Sequence, residues 1–227
     1  MRVRLHEPAV ALTDLAIGVE AGLFALLLGG ARRDDGRRSP EAISARRWFV
    51  VFFGATSLAA LAGAALHGLF PGNENRARLG LWRVSLGSIG VAGLSAWCLA
   101  SVLALPRAAA TRVQRAAIAA HAAYLIALSR TNPPFSVAIA TYIPGSLALG
   151  AALLRGIADP LVRAPSAIAV AGLGLTFGAA AVQIRRIALH PRLFDHNATY
   201  HTVQAVAIAC FYAAARGFTR PQPTGRR

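Results

Sequence analysis

WFVVFFGATSLAALAGAALHGLF, residues Trp48 to Phe70, holds one ionisable side chain, His67, in 23 residues. As a helix such a run rises about 35 Å, enough to cross a hydrocarbon layer of roughly 30 Å. Its interior is rich in Ala, Gly and Leu, and its one histidine sits where the run ends. The same grammar repeats along the 227 residues, so the fold follows from this stretch and its relatives.

Further runs give spanning helices at approximately 9–30, 48–70, 79–105, 112–130, 134–154, 166–185 and 197–215. The expectation is an all-α polytopic membrane protein, a single seven-transmembrane-helix domain without internal repeats. Residues 216–227 read as a disordered basic tail. The breaks carry turn chemistry: Pro71-Gly72-Asn73, Pro106, Asn132-Pro133-Pro134, Asp159-Pro160 and His190-Pro191. Pro144 lies inside the fifth run and predicts a kink. The segment from 31 to 47, ARRDDGRRSPEAISARR, reads as a solvated loop. The first run resembles a secretory signal peptide in position, but Asp14, Glu20 and six following arginines favour a retained helix.

A hydrophobic fraction of 56% with 15% charged residues suits a bilayer rather than water, since soluble domains carry about 25% charged residues. All 24 basic residues are arginine. With no lysine, a retinal Schiff base and a phosphate-loop lysine are excluded. The net charge of +15 suggests nucleic acid, yet the arginines sit in connections between apolar runs and no nucleic-acid signature accompanies them. They instead set orientation: alternate connections carry 15 and 9, which predicts the N-terminus outside and the C-terminus in the cytoplasm, in a bacterial-type cell membrane. Cys98 and Cys210 fall within apolar runs, where a thiol acts as a small hydrophobe. The pairs Gly18-x-x-x-Gly22 and Gly174-x-x-x-Gly178 predict close helix contacts.

That orientation gathers the polar residues at the outer ends. Asp14 lies near the outer end of the first helix, His67 closes the second, and HPRLFDHNATYHTVQ, His190 to Gln204, opens the seventh. Asp195 or Asn197 fits a helix cap, because short polar side chains accept from the free amides of the first turn. His196 stands five residues before His201, about 140° around a helix, and approaches it only from a non-helical connection. On this reading His67, His196 and His201 hold a metal, with zinc the expected ion, and Asp195 or Asp14 serves as fourth ligand, partner or general base. Three histidines and an open position allow a bound water to attack an ester or amide. Glu20 pairs inside the bundle or lines a cavity, Arg83 pairs with Asp195 or Glu74 or snorkels, and His121 bonds between helices.

A histidine closing helix two and a double-histidine motif opening helix seven resemble the CREST superfamily of alkaline ceramidases, progestin and adipoQ receptors and related membrane hydrolases. The segment FDHNATYHTVQ also looks like the closing motif of an uncharacterised bacterial seven-helix family placed near it. The superfamily has a serine four residues before the helix-two histidine, an aspartate near helix three, and last-helix histidines four apart. Three of its histidines hold zinc for hydrolysis of lipid amides. His67 and His201 match that plan and His196 matches with a spacing of five. Gly63 stands in the serine's place, and with no acid between Leu79 and Leu105 the aspartate's role falls to Asp14 or Asp195.

The resemblance implies a zinc-dependent hydrolase acting on a lipid substrate in the bilayer. The hydrolase is the leading reading, and its principal rival is a non-enzymatic bundle, receptor-like or binding a small molecule, whose polar cluster is a hydrogen-bonded network. A third reading is a transporter with Glu20 and Asp14 on an ion path.

Overall fold

The structure, a computed structural model, describes residues 5–30, 36, 38–70, 76–191 and 193–220. Among these the chain is all α, with seven helices: α1 (Pro8–Gly30), α2 (Pro40–Leu69), α3 (Arg76–Ala104), α4 (Arg107–Arg130), α5 (Phe135–Ile157), α6 (Arg163–Ile184) and α7 (His196–Phe218). Five of them, α1, α2, α3, α5 and α6, are long and apolar enough to cross a membrane. The other two are more polar: α4 carries Arg107, Arg112, Arg115 and Arg130, and α7 opens on a polar turn. Of the expected basic tail, Arg216 to Phe218 belong to α7, and residues 221–227 lie outside the described ones.

α2 begins eight residues before the apolar run that betrays it. Ser39 caps it, its Oγ accepting from Ala42 N at 3.1 Å, and Pro40 occupies the first turn, where its missing N–H costs nothing. Part of the expected 31–47 loop is therefore helical. Arg46 within it is 3% exposed and donates from Nη1 to Leu28 O at the end of α1. Hydrophobicity marks the apolar stretch, whereas caps mark the helix.

Contacts fix an up-and-down arrangement. His6 N donates to Gly68 O and Glu7 N to His67 O, so α1 starts where α2 ends. Thr13 meets His201 and Phe24 stacks on Tyr212, eleven residues on along each helix, so α1 and α7 run parallel. Around the ring α1 follows α2, α3, α5, α6 and α7, and α7 returns to α1; α4 packs outside against α3. α1, α3, α5 and α7 all start at what is here termed the first end.

The second-end half of the interior is aromatic. Phe24 and Tyr212 stack at 4.1 Å and 5°, Phe53 meets both edge-on, and Phe52 crosses Phe211 at 5.7 Å. Phe49 continues the cluster to Phe218. Such pairs contribute about 0.5–1.5 kcal/mol each beyond area burial.

Arginines close helix ends. Arg46 reaches the last turn of α1, Arg78 donates to Phe70 O after α2, Arg83 to Thr131 O after α4, Arg163 to Ile157 O in α5, and Arg38 to Thr219 O after α7. The forked guanidinium suits the outward-splayed carbonyls and the negative end of the helix dipole. Arg83 thus serves α4 and forms no ion pair with Asp195 among the described residues; Glu74 lies outside them.

The glycine pairs divide. A Cβ on Gly18 would meet Leu61 Cδ2 at 2.7 Å, and one on Gly22 would meet Ser57 Oγ at 3.0 Å, so this pair does seat α2. Gly174 and Gly178 have nothing within 4 Å, and that pair makes no helix contact among the described residues. The closest approach to a neighbouring backbone is one the spacing rule misses: a Cβ on Gly145 of α5 would stand 2.6 Å from Gly93 O of α3. It lies beside Pro144, which α5 carries without interruption.

Gly145→Val therefore forces α3 and α5 apart and lowers unfolding stability in detergent by about 1–3 kcal/mol. Gly174→Val leaves the melting midpoint nearly unchanged, and equal effects at the two positions would contradict this packing.

Candidate functional site

The first-end half of the bundle is polar where the second-end half is aromatic. At its centre is Asp14, 7% exposed although it is an acid within an apolar helix. Its position on α1 turns it toward α2 and α7 together. On the α2 side it rests on Gly63: a Cβ there would come within 2.7 Å of Asp14 Oδ2 and 3.1 Å of Cγ. On the α7 side Oδ1 lies 3.2 Å from His201 Nε2.

The other ring nitrogen of His201, Nδ1, is 3.1 Å from Thr13 Oγ1. Thr13 has a single hydroxyl proton, and carbonyl oxygens of Ala9 and Val10 lie 2.9 and 3.0 Å from it. With that proton committed to the helix backbone, Thr13 accepts from His201 Nδ1–H. One proton then remains to be shared between Nε2 and the Asp14 carboxyl. The pair is neutral overall whichever atom holds it, the arrangement that a low-dielectric interior penalises least.

Nearer the first end, His67 Nδ1 lies 2.5 Å from Glu7 Oε2, both side chains being partly exposed. Glu7, in the turn that leads into α1, stands seven residues before Asp14, and both meet α2. Beside the Glu7–His67 pair is a cleft of about 130 Å³, lined by His6, Glu7, Leu66, His67, Phe70, Arg78 and Trp82. Between α6 and α7, Gln183 Nε2 donates to Asn197 Oδ1 at 2.6 Å, and two turns deeper Gln204 Nε2 reaches Thr176 Oγ1 at 3.4 Å.

The expected three-histidine site does not assemble. His67 turns to Glu7 and His201 to Asp14 and Thr13. His196 is the first residue of α7 itself, so the five-residue spacing sets it about 140° from His201. Among the described residues no three His, Cys, Asp or Glu side chains are placed to hold a metal ion. Asp195 is the α7 cap, its Oδ1 accepting from Ala198 N at 2.9 Å. His190 lies outside the cluster, its Nδ1 accepting from Leu193 N in the α6–α7 connection. Glu20 is half-buried, six residues beyond Asp14 on α1. The expected interhelical bond of His121 is not formed at Nε2, a buried atom without a hydrogen-bond partner. Instead the ring sits over Gly90, where a Cβ would meet its Cε1 at 2.9 Å.

Two partners escape a reading by residue type. Glu7 precedes the first apolar run, and only its seven-residue offset from Asp14 announces it. Thr13 carries no such signal, because threonines in apolar helices ordinarily back-bond to their own turn.

The chain belongs to DUF6962, a family of unknown function, whose pattern matches residues 9–220. No match is found among curated proteins or among solved structures.

Gly63→Ser puts a side chain where the Asp14 carboxyl lies. It is expected to destabilise the protein in detergent by about 1–3 kcal/mol, read by thermal unfolding beside Gly54→Ser, whose position is open. Matching midpoints for the two variants would contradict the assigned seat of Asp14.

Proposed function

We propose that the chain is a non-enzymatic integral membrane bundle, receptor-like in plan, that admits a small molecule at its outer end and is locked by the buried Asp14–His201 pair. All seven helices cross the membrane in this reading, with the N-terminus outside and the C-terminus in the cytoplasm. The 15-to-9 division of arginines supports that orientation. α7 takes its place among the spans because its polar residues are turned to α1 and α6, while Ile208, Phe211, Ala214 and Ala215 are buried.

The observation that carries the reading is the occupancy of the acid and the imidazole by each other. Each histidine expected to hold a metal has a protein partner or a different direction. A hydrolase built instead on Thr13 as nucleophile is disfavoured by hydrogen-bond direction, since the hydroxyl donates to its own helix and accepts from the imidazole. The aromatic cluster argues against a through-path, because Phe24, Phe53, Phe211 and Tyr212 fill the bundle below the polar half. An outward cleft of about 130 Å³ is below the 300–1,000 Å³ typical of drug-sized ligands, so its ligand is a molecule of few heavy atoms.

In a double-mutant cycle, Asp14→Ala and His201→Ala are expected to be non-additive by about 1–3 kcal/mol in unfolding free energy. Additive losses would remove the lock. Zinc content of the purified protein and of His201→Ala should be equally negligible; one equivalent in the first and none in the second would restore the hydrolase reading.

A further inference from the structure

The described residues of the connection between α6 and α7 are tied by backbone hydrogen bonds and carry apolar side chains outside. Ile187 N donates to Val182 O at 3.0 Å, and Arg186 closes the helix with φ 53°, the left-handed conformation that a non-glycine residue seldom adopts. His190 and Phe194 exchange backbone hydrogen bonds at 3.0 and 2.9 Å as an antiparallel bridge. Leu189 N donates to Thr199 Oγ1 and Leu193 N to His190 Nδ1, each at 3.1 Å. A loop tied this way presents its side chains in fixed directions.

Those side chains are aliphatic. Ile184 is 81% exposed, Leu189 72%, Leu193 73% and Ile187 51%. Arg185 and Arg186 are exposed beside them, and the acid at the end of the loop, Asp195, has one carboxylate oxygen engaged as the α7 cap. Connections in water are normally polar, and a cluster of large exposed aliphatics marks a contact surface. Aliphatic residues alternating with arginines at a helix end match the boundary between acyl chains and phosphate head groups. The apolar set also continues the exposed surface of α6, where Ile168 and Phe177 are uncovered.

We propose that the α6–α7 connection is an interfacial anchor: Ile184, Ile187, Leu189 and Leu193 enter the outer acyl boundary, and Arg185 and Arg186 contact the phosphates of anionic lipids. The inference rests on the reading of the bundle as membrane-spanning. It places lipid head groups beside the start of α7, the helix that carries His201.

The test uses full-length protein with Cys98 and Cys210 replaced by alanine, Leu193→Cys labelled with a bimane fluorophore, and a second sample labelled at Leu26→Cys, a lipid-facing position within α1. Both are reconstituted in vesicles of three parts phosphatidylcholine to one part phosphatidylglycerol. The Leu193 label should lose most of its fluorescence to shallow spin-labelled lipid and little to aqueous iodide. Spin-labelled phosphatidylglycerol should quench it more than spin-labelled phosphatidylcholine, and Arg185→Gln with Arg186→Gln should abolish that difference. Quenching by iodide at Leu193 while the Leu26 label is quenched by deep spin-labelled lipid would overturn the anchor and leave the spanning reading intact. Loss of lipid quenching at both sites would overturn both. Equal quenching by the two lipids would remove the anionic preference and the role given to the arginines.

Discussion

A carboxyl group in an apolar helix is the constraint around which this bundle is arranged. Asp14 is 7% exposed, and an isolated charge there would cost several kcal/mol. Three things lower that cost together. Gly63 removes a side chain so that the carboxyl has room, His201 supplies a partner with which to share a proton, and Thr13 fixes the far side of that imidazole. Each comes from a packing decision that involves α1, and through them α1, α2 and α7 are held at one level.

Gly63 thereby acquires a reason: the space a side chain would take there is held by the Asp14 carboxyl from the neighbouring helix. Polar groups at this level of the bundle hydrogen-bond between helices. The two halves of the interior then divide the work: aromatic rings give close packing at the second end, and hydrogen bonds give direction at the first.

The helices were legible in the sequence because five of the seven are long and apolar enough to stand out as runs. Their ends were less so. The run from Trp48 reports the apolar stretch of α2, whereas Ser39 and Pro40 decide where the helix starts. Glycine spacing was ambiguous for a related reason: Gly18 and Gly174 look alike in sequence, and only a neighbour such as Leu61 makes one of them a contact. At the polar end, His201 and Asp14 were recognisable as residues needing partners, but not as partners of each other, since residue type names a requirement and the fold alone says who meets it. His196 shows the limit of spacing arguments. Its distance from His201 depended on whether α7 starts before or after it, and the Asp195 cap starts it there.

The parallel contact between α1 and α7 also has a meaning in time. Thr13 and His201 are 188 residues apart in the chain. At synthesis rates of about 5–20 residues per second, α1 precedes its partner by roughly 10–40 s. Through that interval Asp14 has Gly63 and the rest of α2 as cover but no imidazole. The ring therefore closes last at the seam between the first and last helices, and Asp14 waits for the imidazole that α7 brings.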